Sequence, residues 1–114
     1  MRTENLLTAT LQELAQATLT PADITFIGAA TGECCSWEDF MLLADRAYDC
    51  GWGPTQVATD LVIRFRSGAW LERWEYDGSE GWSFKTPWTP PAHPLPLRAV
   101  FVIDGTVAQA QQGL

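Results

Sequence analysis

The stretch from Asp60 to Trp88 constrains the fold more than any other part of the chain. Asp60 to Phe65 alternates apolar and polar residues, Ser67-Gly68 reads as a turn, and Ala69 to Tyr76 is rich in β-prone side chains. Asp77-Gly78-Ser79-Glu80 reads as a second turn and Trp82 to Lys85 as a third strand. Alternation with a period of two marks half-buried strands, and glycine tolerates the positive φ that tight turns require. Three strands joined this way form an antiparallel meander, with one face packed and the other wet.

The register of the meander decides what each face carries. With Ser67-Gly68 at the tip of the first hairpin, Phe65 faces Trp70, Ile63 faces Glu72 and Leu61 faces Trp74. That places Leu61, Ile63, Phe65, Trp70 and Trp74 on a core face, with Tyr76 beyond them. Glu72 is then an anomaly, a carboxylate that must be paired or open onto a pocket. Val62, Arg64, Leu71 and Arg73 take the other face. Asp-Gly favours a two-residue second turn, which puts Trp82 and Phe84 beside Arg73 on the face with less apolar cover. A slip of one residue reverses every one of these assignments.

Around the meander the sequence predicts helices. Thr3 to Leu19 carries Leu7, Leu11, Leu14 and Thr18 at helical spacing, widened by Leu6 and Ala15, with Thr3 as the cap. Thr20-Pro21 ends it or opens a new turn, with Asp23 completing a capping box. Ile24 to Ala29 reads as a short strand. Ser36 caps a second helix with Asp39 as its reciprocal partner; Trp37, Phe40, Met41 and Ala44 form the apolar face, and the helix ends near Tyr48. Tyr48 to Gln56 reads as a loop. From Pro87 to Pro96 five of ten residues are proline, an extended crossing. Arg98 to Ile103, apolar on both faces, reads as a central strand, and Thr106 to Leu114 as a weak helix or a frayed tail. The expected fold is α+β: two helices on an antiparallel sheet of about four to five strands. At 114 residues this is one domain, with an N-terminal helix over 1–20, a core over 24–104 and a tail over 105–114.

Composition narrows the function. Fourteen acids against seven bases leave a net charge of −7, which opposes direct binding to nucleic acid and to anionic membranes. It suits solubility, which is the plainer reading, or a basic protein partner. Glu4 and Glu13 interrupt any apolar leader and no stretch has the length of a membrane span, so a cytoplasmic protein is expected. Cys34, Cys35 and Cys50 make a poor disulfide framework, and the adjacent pair lacks zinc-ligand spacing, so free thiols and no metal are expected. No cofactor is implied.

The case for catalysis is thin. His93, the single histidine, lies among prolines with no nucleophile motif beside it. Glu72, Glu75, Asp77 and Glu80 are better read as a solvated acidic rim than as an acid–base pair. Gly51-Trp52-Gly53 lacks the lysine of a phosphate loop. A non-enzymatic binding protein is expected. Its candidate binding residues are Arg73, Trp82 and Phe84, the acids Glu72, Glu75, Asp77 and Glu80, and the loop residues Tyr48, Asp49 and Trp52. Buried core is the commoner fate of any single tryptophan. Aromatic and arginine side chains together are nonetheless the usual material of interface hot spots. On this reading Trp82→Ala weakens binding and leaves the fold intact.

One pattern points further. Ser36-Trp37-Glu38-Asp39-Phe40, Ala44-Asp45, Tyr48-Asp49-x-Gly51-x-Gly53, Asp60-Leu61-Val62-Ile63 and the run from Trp70 to Glu80 together resemble small, uncharacterised accessory proteins of bacteriophages and prophages. The resemblance spans about 37–82, and its Tyr-Asp-Gly-Ser-Glu element is the distinctive part. It implies an inhibitor of a host defence system, of the anti-CRISPR kind, that binds a host protein or ribonucleoprotein complex through an acidic, aromatic surface; a homo-oligomer is compatible. The alternative is a small-ligand binder, such as a sequesterer of a nucleotide signal, with a concave tryptophan-lined site around Tyr48, Trp52, Glu72 and Arg73.

Overall fold

In a computed structural model of the chain, which describes residues 2–101 and 104–112, the second turn behaves as the sequence predicts. Tyr76 pairs with Ser79 across Asp77 and Gly78, both at positive φ (50° and 87°), as a two-residue primed turn demands. The first turn does not. Phe65 accepts a hydrogen bond from Gly68 and donates one to Ala69, and Gly68 has φ +94°. The loop is therefore the three residues Arg66, Ser67 and Gly68, with glycine in the left-handed position that closes such loops. The added residue shifts the pairing by one: Arg64 lies opposite Trp70, Ile63 opposite Leu71 and Val62 opposite Glu72.

This slip corrects the faces. Strand β4 (Val62–Phe65), β5 (Trp70–Tyr76) and β6 (Ser79–Lys85) form the meander, and β2 (Ile24–Gly28) adds antiparallel to β4. The four-stranded order is β2-β4-β5-β6. Ile27, Ile63, Phe65, Leu71 and Trp82 point into the core, and Arg73 points with them. Phe26, Val62, Arg64, Trp70, Glu72, Trp74 and Tyr76 take the opposite face, where none is buried. Trp70 and Trp74 are thus not core residues, and Glu72 is no anomaly within the core.

The two longer helices pack on the core face. Helix α1 (Leu6–Gln16) is shorter than predicted. Asn5, not Thr3, caps it by accepting from the Thr8 amide at 3.0 Å. Thr3–Asn5 forms strand β1 instead, pairing with β3 (Ala47–Asp49) in a second, two-stranded sheet. The buried stripe of α1 is Ala9, Thr10 and Leu14; Leu11 and Ala15 are exposed. Helix α2 (Trp37–Ala44) begins at Ser36 as predicted, the Ser36 hydroxyl accepting from the Asp39 amide at 3.1 Å. It stops at Ala44, one turn short of Tyr48, because Tyr48 is held in β3. Phe40 and Ala44 enter the core, and Trp37 packs on it beside the Phe40 ring. Thr20 and Asp23 do form a capping box, around the short 3₁₀ turn Pro21–Asp23.

The C-terminal quarter departs most from expectation. Arg98 to Phe101 belongs to no strand, and positions 102 and 103 of the predicted final strand lie outside the described residues. Residues 86–101 form no helix or strand, bend once at Ala92-His93, and precede a short helix α3 (Val107–Gln112). The radius of gyration is 18.1 Å, against about 13 Å for a compact chain of this length.

Candidate functional site

Two constellations of charged and aromatic residues emerge, one inside the protein and one on its surface. The internal one gathers residues expected to be a surface. Arg73 and Trp82 are cross-strand partners on the core face. The Arg73 guanidinium carbon sits 4.8 Å from the Trp82 ring centroid and 5.7 Å from that of Tyr48. Its Nη2 donates to Glu80 Oε1 and to the Tyr48 hydroxyl, both at 3.2 Å. Both side chains of the Arg73–Glu80 pair are only 3% exposed. The Glu80 carboxylate also accepts the amides of Gln56 and Val57, at 2.8 and 3.1 Å. Trp82 donates its indole N–H to the buried Thr10 hydroxyl at 2.9 Å. Arg73 Nε and Nη1 find no acceptor among the described residues; the two ring faces are what the guanidinium has in their place.

This knot ties β6 to α1, β3 and the loop before β4. Buried charge needs such pairing, because an unpaired ion away from water is strongly destabilising. Desolvation pushes the Tyr48 hydroxyl above its ordinary pKa, partly offset by the Arg73 hydrogen bond and charge. Arg73, Trp82, Glu80 and Tyr48 are therefore withdrawn from the surface, and the expectation of an exposed aromatic-plus-arginine patch there is corrected. Phe84 lies near the rim of the same face and is partly exposed.

The remaining predicted residues stay outside. Asp49 Oδ1 accepts the amides of Gly51 and Trp52 at 3.1 and 3.2 Å, shaping a tight loop that presents Trp52, 71% exposed. The Ser79 hydroxyl donates to Gly51 O at 3.2 Å, docking this loop against the second hairpin turn. Trp52, Tyr76, Glu75 and Asp77 are thereby exposed at one end of the sheet.

The open face of the sheet holds the surface constellation. Along β5 its outward residues read Trp70, Glu72, Trp74 and Tyr76. The Trp74 indole lies over Gly81, where an added Cβ would meet it at 2.9 Å, so glycine opposite Trp74 lets the ring lie flat. At the other end of the stripe a cleft of about 520 Å³ opens. Phe26, Val62 and Trp70 line it, with Asp60, Arg64 and Glu72 as its charges. Arg64 sits 5.8 Å from the Trp70 ring centroid. Of the predicted residues only Glu72 lies in this cleft. Phe26, Asp60, Arg64 and Trp70 were missed, because the predicted register turned Trp70 inward and separated it from Arg64.

Comparison with known proteins gives no match among family models, curated proteins or solved structures. No helix among the described residues is long and apolar enough to cross a membrane.

Proposed function

We propose that this chain is a non-catalytic binding protein that engages a basic protein partner through the open face of its sheet. The setting we propose is the one the phage resemblance implies, an inhibitor of a host defence complex. The observation that carries the reading is the Trp70-Glu72-Trp74-Tyr76 stripe, none of which is buried among the described residues. Helix-free sheet faces normally present polar residues to water, and a contiguous aromatic stripe with a polar rim marks an interaction surface. Asp60 and Glu72 outnumber Arg64 in the cleft, which suits a Lys or Arg side chain laid against Phe26, Val62 and Trp70 with its cation among the carboxylates.

The test is capture of a host partner by the tagged full chain, repeated with Trp70→Ala and Glu72→Arg. Stoichiometric capture that both substitutions abolish supports the reading. Equal capture by both variants sinks it. A second reading has its own support: the cleft volume falls within the range of roughly 300–1,000 Å³ typical of small-ligand sites. Its excess of carboxylates disfavours a phosphate and favours a flat, cationic or neutral molecule. Release of such a molecule from the purified protein, without a protein partner, decides for it.

A further inference from the structure

A predicted strand without a sheet and a sheet edge without a strand occur together in this chain. The Glu80 amide points outward from β6 and donates to Cys50 O at 2.9 Å. Strand alternation sends the amides and carbonyls of Trp82 and Phe84 the same way. No strand pairs with that edge among the described residues. Beside it runs a trough of two adjoining cavities, about 160 and 220 Å³, which share Glu13 and Gln16 of α1. An edge strand next to a helix, with a trough between them, is the geometry that accepts an added strand.

The arm supplies a complementary segment. From Gly81 to Ile103 the sequence has no Asp or Glu, and it carries Arg98 within an apolar, β-prone run. Leu97, Val100 and Phe101 are exposed, Phe101 at 92%. Gln111 alone engages this backbone among the described residues, receiving the Arg98 amide at 2.9 Å and donating to Ala99 O at 2.7 Å; strand pairing would replace those bonds. The trough is acidic at its side, where Glu4 and Glu13 stand against Arg2. The proline-rich run is a stiff spacer, and the segment makes no ladder with its own β6.

We propose that residues 97–101 of one copy add as a fifth strand to β6 of a second copy, in the trough against α1, with Arg98 facing Glu13. Reciprocal exchange closes a two-fold dimer and satisfies both edges.

The full chain should be a dimer by light scattering at micromolar concentration, with the Trp82 and Phe84 amides protected from hydrogen exchange. Truncation after Thr86 should give a folded monomer in which both amides exchange faster. In the full chain Val100→Pro should abolish dimerisation and Arg98→Glu should weaken it by at least about tenfold. These two variants decide the matter should the truncated chain fail to fold. A full chain that stays monomeric overturns the proposal, including one whose own arm protects Phe84. So does a dimer that survives both truncation and Val100→Pro, or one in which the Phe84 amide exchanges freely.

Discussion

Arg73 Nη2 and Glu80 Oε1 meet at 3.2 Å inside the protein, seven residues apart and on facing strands of one hairpin. The pair is buried, so its value lies in mutual satisfaction rather than in net attraction. Glu80→Gln keeps the shape of the side chain and leaves the Arg73 charge unpaired. It should cost about 3–5 kcal/mol in urea unfolding. Arg73→Met in the Glu80→Gln background should restore a large part of that loss, because no buried charge is then stranded. A double variant less stable than Glu80→Gln would refute this account.

The indole of Trp82 has one partner, the Thr10 hydroxyl. Thr10→Val is close in volume and removes the acceptor. It should destabilise by about 1–3 kcal/mol, the cost of a buried donor left unmade. Thr10→Ser keeps the hydroxyl and should cost less. Tryptophan fluorescence during denaturation reads both.

Trp82→Ala removes a ring that also carries the Arg73 guanidinium. A loss of about 3–5 kcal/mol is expected from the cavity alone, so reduced binding by this variant would report unfolding rather than a lost contact. Trp70→Ala, on the open face, should instead leave the thermal midpoint nearly unchanged and weaken partner binding by about 2–4 kcal/mol. Measuring stability and affinity on both variants separates the core tryptophan from the surface one.

Tyr48 should make stability fall at alkaline pH. Burial raises the Tyr48 pKa above its ordinary value of 10.0. The folded state holds the Tyr48 proton more tightly than the unfolded chain does. The resulting stability is present below about pH 10 and is lost as pH rises through the folded value. Tyr48→Phe should flatten the alkaline fall in stability, measured by urea unfolding on either side of about pH 10. An alkaline fall of the same size in wild type and Tyr48→Phe would contradict the burial argument.

The sequence by itself determined the elements whose causes are local. The Asp77-Gly78 turn follows from residues that tolerate positive φ, the Ser36 cap from a hydroxyl three residues before an available amide, and the three meander strands from alternation and β-prone side chains. The α+β class followed from those elements. The two faces of the meander were settled only by tertiary structure, because they rest on a single residue of loop length. Arg66-Ser67-Gly68 and Ser67-Gly68 are both acceptable turns locally, and burial of Leu71 rather than Trp70 selects between them. The same choice carried Arg73 inward to Glu80 and Tyr48, and brought Trp70 outward to Arg64 and Glu72. Thr3 to Asn5 left the helix for a strand because β3, 40-odd residues away, offers a ladder. Contacts between distant segments decide register and burial, and spacing along the chain does not contain them.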